Sequence, residues 1–277
     1  HKHGMEVYAW VTVYDSLYYA TPTEFFQRHP EMTWQSKDGT KHIPGVPCYA
    51  YPEVRQYRLD QVKELLAYDV DGIKFSPRSH SPWPGRSTGG GNEGARGYGF
   101  NPPVIDEYIR RFGKDPRQAE PDSLDALRFV QLKGDFFTEF IRQAKALADA
   151  AEKKLIMVTA TSYADPVRAS WMYIDAETML RERLVDELSV MGGAGANLNH
   201  WRLLADDKVK VTTWTGIHGR TYDECLNRTR TQLQDLLANP TTDGCALHEL
   251  ANLVYPDCWE EGIVDTVTTW KRGNGSK

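Results

Sequence analysis

A strand-like run followed by a helix-like run recurs six times along this chain, and this pattern most constrains its fold. The strand-like runs are rich in β-branched, aliphatic or aromatic residues, and the helix-like runs place apolar residues at helical spacing. Such alternation predicts an α/β protein with a parallel sheet and right-handed crossovers. The six predicted strands cover residues 5–14, 72–76, 155–159, 184–191, 209–214 and 245–250.

Helices are predicted after these strands, and two of them have clear starting residues. Pro52 stands in the first turn of one helix, and Ser123 caps the longest. The predicted helices cover residues 23–28, 52–68, 101–112, 123–152, 175–183, 197–205, 222–238 and 257–271. Residues 77–97, after the second strand, form a glycine-rich loop, and a long insertion of this kind is typical of a functional segment.

The number of strands bears on how the sheet closes. A TIM (β/α)8 barrel has eight strands, two more than the pattern supplies. Residues 1–4 are typical of the last turn of a helix and its glycine stop. We therefore expect a TIM-type barrel lacking its first two βα units, with one domain over residues 1–272 and a flexible tail over 273–277. The alternative is an open doubly wound sheet, although no strand leads into a GxGxxG or GxxxxGK[ST] motif.

Composition narrows the class of partner. Lys and Arg number 33 and Asp and Glu 38, and a net charge of -5 argues against binding to nucleic acid or an anionic membrane. No apolar run approaches the roughly 20 residues that span a bilayer. A signal peptide on a longer chain would direct the protein to the periplasm or outside the cell. The cysteines lack CxxC spacing, so we expect them to be reduced and mostly buried, with a single disulfide as the alternative. They are Cys48, Cys225, Cys245 and Cys258.

Carboxylates follow several predicted strands, at the end where βα barrels build their sites. Glycoside cleavage needs two of them, one to protonate the leaving oxygen and one to attack the sugar or activate water. Glu249 ends an otherwise apolar run, where limited hydration raises the pKa of a carboxyl group towards that of a useful acid. Asp15 and Asp165 are the candidates for its partner. The alternatives are an outward Glu249 paired with a cation, and loop-capping roles for the two aspartates.

Polar and aromatic side chains near the same strand ends are candidates for substrate contact. Arg78 and His80 form the densest polar cluster, suited to hydroxyls or an anionic group, or else they tie down their own loop. His218 and His248 also lie near strand ends. Aromatic residues make up 11% of the chain, and many fall in predicted loops. Aromatic side chains in such loops suit stacking on the C–H faces of sugar rings. The candidate stacking residues, for each of which core packing is the alternative, are Trp34, Trp83, Tyr98, Tyr163 and Trp214.

A metal site is a weaker interpretation of the same residues. His80, His218 and His248, with Asp15, are possible ligands, but no His-x-His or HExxH spacing lies at this end of the predicted strands. We therefore predict no metal and no other cofactor, and keep a metal-dependent hydrolase as an alternative.

Several segments resemble, in order, those of glycoside-hydrolase-like family 10 barrel proteins. They are His3-Gly4-Met5-Glu6-Val7-Tyr8-Ala9-Trp10, His29-Pro30-Glu31, Pro52-Glu53-Val54-Arg55 and Tyr68-Asp69-Val70-Asp71-Gly72-Ile73; Tyr98-Gly99-Phe100-Asn101 and Arg110-Arg111-Phe112-Gly113 resemble a bacterial branch. The resemblance extends over residues 1 to about 160. It implies a TIM barrel that acts on polysaccharide, and it agrees with two missing strands.

One departure from that family bears on the chemistry. In many relatives the strand at Asp71-Gly72-Ile73 continues into an acidic pair, whereas this chain has Phe75-Ser76-Pro77-Arg78. A nucleophile carried on that strand does not transfer to this sequence. We therefore expect a glycoside-hydrolase-like protein that acts on a poly- or oligosaccharide through carboxylates on other strands. The alternative is a barrel that binds glycans without cleaving them.

Overall fold

A computed structural model describes residues 4–15, 17–18, 21–77, 97–160, 164–165, 172–192, 197–216 and 222–248. The chain forms two compact units, His1–Asp186 and Glu187–Lys277, which are described separately below. Among the described residues, none of the helices has the length and apolarity that crossing a bilayer requires.

Among its described residues, the first unit contains three strands of a parallel sheet, two small two-stranded antiparallel sheets and five α-helices. In chain order these are β1 (Tyr8–Thr12), β2 (Leu17–Tyr18), β3 (Thr21–Pro22), α1 (Glu24–Arg28), β4 (Thr33–Gln35), β5 (His42–Pro47), α2 (Pro52–Leu66), β6 (Gly72–Ser76), α3 (Pro102–Phe112), α4 (Leu124–Ala150), β7 (Lys154–Ala160) and α5 (Ala176–Arg181).

The parallel strands of the first unit lie in the order β1-β6-β7. Trp10 of β1 stands opposite Lys74 of β6, which stands opposite Ile156 of β7. The ring of Phe75 lies 5.6 Å from that of Phe140 on α4, so alternate residues from Phe75 face this helix. Trp10, Lys74 and Ile156 therefore share the opposite face of the sheet.

Helix α4 supplies much of the core of this unit. The Ser123 hydroxyl accepts a hydrogen bond from the Ala126 amide at 3.2 Å, which confirms the predicted cap. The apolar face predicted from spacing is buried at Val130, Phe137 and Ile141. Its hydrophobic stripe is continuous over several turns, and the helix packs on α2, α3 and β7.

The antiparallel pairs were not predicted, since the sequence between β1 and α2 reads as a long loop with one short helix. β4 and β5 are joined by a tight turn in which the Ser36 amide donates to the Lys41 carbonyl at 2.8 Å. Gly39 has a φ of +75°, a conformation that glycine adopts without strain. The dipeptide Asp38-Gly39 is typical of hairpin turns. The strands on either side of it are too short to show an alternation of apolar and polar residues, so the hairpin was not recognised.

The second unit has three described strands and two helices. They are β8 (Glu187–Met191), α6 (Leu198–Ala205), β9 (Lys210–Gly216), α7 (Tyr222–Leu237) and β10 (Gly244–His248). The strands are parallel, in the order β8-β9-β10. Leu188, Val190 and Val211 are fully buried between sheet and helices.

Six parallel strands, three in each unit, thus alternate with helices, which confirms the α/β class and all six predicted strands. The bounds differ at the ends, most at β1 and β8, which start three residues later than predicted. Closure into an eight-stranded barrel and a missing start stay predictions. The helix predicted over 257–271 lies outside the described residues. Cys48 and Cys245 are free thiols.

Candidate functional site

The carboxyl end of β1 carries a buried carboxylate residue. Pairing with β6 continues past the strand, since the Val13 amide donates to the Ser76 carbonyl and the Tyr14 amide to the Pro77 carbonyl, both at 2.9 Å. The next residue, Asp15, is only 5% exposed. One of the predicted carboxylates therefore lies at the strand end where the sequence placed it.

The main chain beneath Asp15 is held by a buried cation. Arg58 of α2 is 5% exposed, and its Nη2 donates to the carbonyls of Val13 at 3.4 Å and Asp15 at 3.3 Å. The Thr12 hydroxyl donates to the Asp15 carbonyl at 3.0 Å, and the Tyr49 hydroxyl to the Val13 carbonyl at 2.5 Å. Four donated hydrogen bonds thus fix the backbone that presents Asp15.

Aromatic rings pack around the residue before Asp15. The Tyr14 ring lies 5.8 Å from Trp34, 5.5 Å from Tyr49 and 4.9 Å from Phe137. Burial raises the pKa of Tyr14, and it raises the pKa of Tyr49 to about 12, so both phenols stay neutral. Trp34 is 3% exposed, so of the two interpretations of this residue the structure favours core packing over stacking on a ligand. Its ring contacts Tyr14 and the ammonium of a lysine.

That lysine, Lys133 of α4, is a second buried cation. Its Nζ donates to the Tyr98 carbonyl at 2.8 Å and lies 5.1 Å from the Trp34 ring and 5.0 Å from the Phe129 ring. Two ring faces and one carbonyl stabilise the ammonium in a site that is 8% exposed. Lys133 therefore joins α4 to the segment that returns from the loop after β6.

Asn101 ties that returning segment to the β4–β5 hairpin. Its Oδ1 accepts from the Gln35 amide at 3.1 Å, and its Nδ2 donates to the carbonyls of Glu31 at 3.1 Å and Thr33 at 2.8 Å. The side chain is fully buried, so these three bonds satisfy an amide that water does not reach. The loops that leave β1 and β6 are thereby clamped together.

A groove of about 480 Å³ opens where these two loops meet. Ser36 and Tyr98 form an antiparallel bridge at its base. Tyr98, predicted to contact substrate, lines the groove and is half-buried. The complete lining consists of Ser36, Lys37, Asp38, Lys41, Gly97, Tyr98 and Arg117.

Asp165, the second described carboxylate candidate, follows β7 and is half-buried. Burial is the largest cause of the raised pKa of Tyr173, and the negative charges of Asp175 and Asp165 add to it. Asp165 thus lies within electrostatic range of the Tyr173 hydroxyl. Tyr173 in turn packs on α4 at Gly134, where a Cβ would come within 2.4 Å of its ring.

In the second unit, two predicted contact residues lie on neighbouring strands, one at a strand end and one two residues before the end. Trp214 of β9 is half-buried and stands opposite Met191 of β8 and Ala246 of β10. His248 is the last residue of β10 and stands opposite Gly216. β9 continues to Gly216, two residues beyond the predicted end at Trp214, and the proposed contacts of both residues with substrate stay predictions.

The other predicted site residues lie outside the described residues. They are Arg78, His80, Trp83, Tyr163, His218 and Glu249. Within the described ranges, no three His, Cys, Asp or Glu side chains group together as a metal site does.

The sequence interpretation missed the residues that hold the loops. Arg58 and Lys133 read as ordinary polar positions of amphipathic helices, although both lie on turns whose neighbours are apolar. Asn101 precedes Pro102-Pro103, a pattern that indicates a helix start, but nothing local to it indicates its bonds to residues 31–35. Such long-range contacts have no signal in a single sequence.

Comparisons with known proteins are consistent with this geometry. No protein-family model matches the chain, and no curated protein matches it in sequence. Among solved structures it is similar to the glycoside hydrolase domain of PgaB (BpsB) from Bordetella bronchiseptica, with a TM-score of 0.54, 15% identity, and coverage of 97% of this chain and 75% of that one. It is also similar to the β-galactosidase from the psychrophilic Marinomonas ef1, with a TM-score of 0.55 and 11% identity, over 90% of this chain and 44% of that one.

These similarities establish the class of fold. The chain has a glycoside-hydrolase-like fold, which it shares with these two proteins. At sequence identities of 15% and 11%, the similarity shows the fold alone. It spans less than half the length of the β-galactosidase.

Proposed function

We propose that this chain belongs to a glycoside-hydrolase-like protein that acts on a poly- or oligosaccharide by carboxylate acid/base catalysis. The observation that carries the proposal is Asp15, a buried carboxylate residue at the carboxyl end of β1 whose backbone is fixed by Arg58, Tyr49 and Thr12. The glycoside-hydrolase-like fold supports it. Membership of glycoside-hydrolase-like family 10 is part of the same proposal.

The proposed chemistry divides two tasks between carboxyl groups. One carboxylic acid gives its proton to the glycosidic oxygen as the bond to the anomeric carbon breaks. A carboxylate attacks that carbon, or takes a proton from the water that attacks it. We assign the acid to Glu249 and the second task to Asp15 or Asp165. The choice of Glu249 for the first task rests on the sequence alone, since it ends an apolar run where limited hydration would favour the protonated form.

Substrate contacts follow from the remaining residues at the strand ends. Tyr98 and Trp214, both half-buried, are proposed to stack on sugar rings. The other proposed contacts, which rest on the sequence alone, are Arg78, His80, Trp83, Tyr163, His218 and His248.

The test is reducing-end release from a panel of polysaccharides by the chain and by Glu249→Gln and Asp165→Asn. Loss of a general acid lowers the rate roughly 10²–10⁴-fold, so Glu249→Gln should retain at most about one per cent of the activity. Exposed Glu64→Gln on α2 and Asp106→Asn on α3 are matched controls and should leave the rate unchanged. Cleavage of a glycan at an unchanged rate by Glu249→Gln would refute the assignment of the acid.

One observation favours glycan binding without cleavage as a second candidate. β6 ends in Phe75-Ser76-Pro77, and Ser76, 3% exposed, stands where many members of the resembled family carry an acid. Saturable binding of a polysaccharide by the unmodified chain, with no reducing ends released, would favour this candidate over hydrolysis.

A further inference from the structure

We infer that the groove between the β4–β5 hairpin and residues 97–98 binds an acidic saccharide, a sugar ring that carries a carboxylate or a sulfate ester. The inference rests on the proposed function for the choice of a saccharide, and it specifies the class of sugar.

Rigid walls make the groove a preorganised site. The Lys37 amide donates to the Gly97 carbonyl at 3.1 Å, and the Gly99 amide donates to the Gln35 carbonyl at 2.9 Å. Asn101, which accepts a hydrogen bond from the Gln35 amide, and Lys133, which donates one to the Tyr98 carbonyl, also hold the β4–β5 hairpin and residues 97–98 in place. A ligand therefore meets walls already in place, which lowers the entropy cost of binding. The volume of about 480 Å³ suits a small-molecule ligand, since such sites span ~300–1,000 Å³.

The groove carries more positive than negative charge in a chain whose net charge is -5. Lys37, Lys41 and Arg117 line it, against the single carboxylate of Asp38. Within the part of the chain that the structure describes, no hydrogen bond or ion pair engages the ammonium of Lys37 or Lys41. Lys37 acts on Asp115 and Lys41 on Asp38 through charge alone, so an anion can meet both ammonium groups without breaking a hydrogen bond or ion pair among the described residues.

The acidic groups near the groove are already engaged. Asp38 Oδ1 accepts from the Ser36 hydroxyl at 2.5 Å, the Thr40 amide at 3.0 Å and the Thr40 hydroxyl at 2.8 Å. Arg117 pairs with Asp115 at 2.7 Å. The local turns thus use these carboxylates, and the two lysines set the preference for an anion.

Ring surfaces in the groove favour a sugar over a small inorganic anion. Tyr98 lines it, and the Lys133 bond to its carbonyl fixes its backbone. A second groove of about 280 Å³ shares Lys37 and Gly97 with the first. Its other lining residues are apolar apart from the carboxylate of Asp122, and Phe100 and Phe129 in its wall are buried and stack on each other at 4.4 Å. The ring of Tyr98 beside the cations of the first groove matches the C–H face and the charged substituent of an acidic pyranose.

The position of the groove agrees with a role in holding a substrate. Its walls belong to the loops that leave the carboxyl ends of β1 and β6. Barrel enzymes build their binding surfaces from such loops. Lys133 links the groove to the core beside Asp15, because its ammonium contacts the Tyr98 carbonyl and the Trp34 ring, which in turn packs on Tyr14.

Calorimetric binding of trisaccharides to the chain tests the inference without depending on cleavage. The probes are trigalacturonate, a sulfated galactotriose and neutral galactotriose. We expect at least one acidic probe to bind about tenfold more tightly than the neutral one at low salt, with the advantage reduced at 1 M salt. The two acidic probes separate carboxylate from sulfate recognition.

Variants assign the preference to the groove. Lys37→Gln with Lys41→Gln should abolish the advantage of the acidic probe, whereas exposed Lys210→Gln of β9 should keep it. Tyr98→Ala should weaken all three probes, and Tyr68→Ala, at an exposed position of the first unit, should not.

Three results would overturn the inference: equal affinity for acidic and neutral probes, an undiminished preference in the double lysine variant, or no binding of any probe. Tighter binding of a single-stranded oligonucleotide of equal charge would assign the groove to nucleic acid instead. Hydrolysis lost in Glu249→Gln with no binding in the groove would sink this inference alone and leave the proposed function standing.

Discussion

Gly72 lies where β6 passes closest to β7. A Cβ at this position would lie 2.2 Å from the Lys154 carbonyl oxygen. That oxygen belongs to the backbone of β7, so it cannot move aside as the end of a flexible side chain could. We expect Gly72→Ala to lower the free energy of unfolding by about 3 kcal/mol through overpacking. The measurement is urea denaturation.

Gly113→Ala is the matched control for this prediction. Gly113 has a φ of +67° with open space around it, so its substitution tests backbone strain alone and should cost ~1 kcal/mol. A loss for Gly72→Ala no greater than that for Gly113→Ala would contradict the steric explanation.

The side chain of Glu107 makes a contribution to the free energy of unfolding that depends on pH. Hydrogen bonds from Arg110 and Arg111 lower its pKa from an ordinary 4.5 to about 2. Because the folded pKa is the lower one, the stabilisation is complete above about pH 4.5 and is lost as the pH falls towards 2. Glu107→Gln should therefore cost about 0.5 kcal/mol at neutral pH and less near pH 3.

Urea midpoints of the two proteins at both pH values check the Glu107 prediction. Glu24→Gln is the control, since the carboxylate of Glu24 lies 3.7 Å from Arg28 and is largely exposed. A difference between Glu107→Gln and the unmodified chain that grows on acidification would contradict the sign.

Individual residues were predictable where local sequence sets their position. Asp15 lies at a strand end because the strand before it is marked by β-branched and aromatic residues, and Ser123 caps α4 because a serine precedes a long apolar periodicity. For Trp34 the sequence left stacking and core packing both open, since its ring contacts Tyr14 and Lys133, which are distant in sequence.

At the scale of elements, the clamp made by Asn101 joins the β4–β5 hairpin to the start of α3. Asn101→Ala removes three hydrogen bonds and leaves the Gln35 amide and the Glu31 and Thr33 carbonyls without this partner. We expect a loss of about 2–4 kcal/mol in the free energy of unfolding, together with faster hydrogen exchange of the Gln35 amide.

Asn197→Ala is the control for the clamp, because Asn197 is exposed and makes no side-chain cap bond at the start of α6. It should change stability by less than about 0.5 kcal/mol. An unchanged urea midpoint for Asn101→Ala would show that the hairpin is held by its other contacts.

The parallel strands and long helices were predictable because periodicity marks them over many residues. The two antiparallel pairs were not, since strands of two to six residues give too little alternation to recognise. Asp38-Gly39 marked one turn, but its two strands gain stability from the bridge between Ser36 and Tyr98, a contact that sequence spacing does not reveal.

For the whole molecule, the order of elements predicted an α/β fold, and the similarity to two glycoside hydrolases over at least 90% of the chain agrees with that class. The division into two compact units had no sequence signal, because the boundary between Asp186 and Glu187 falls inside the predicted strand over residues 184–191. The candidate carboxylates were chosen from strand ends alone, and their roles stay predictions.

Asp15→Asn tests the central claim most directly, through kcat/KM measured against pH on a glycan that the chain cleaves. We predict a loss of roughly 10²–10⁴-fold and a changed acidic limb of the pH profile, with a far-ultraviolet circular dichroism spectrum like that of the unmodified chain. Asp106→Asn should match the unmodified chain throughout. A value of kcat/KM for a correctly folded Asp15→Asn equal to that of Asp106→Asn would contradict catalysis by the carboxylate at the end of β1.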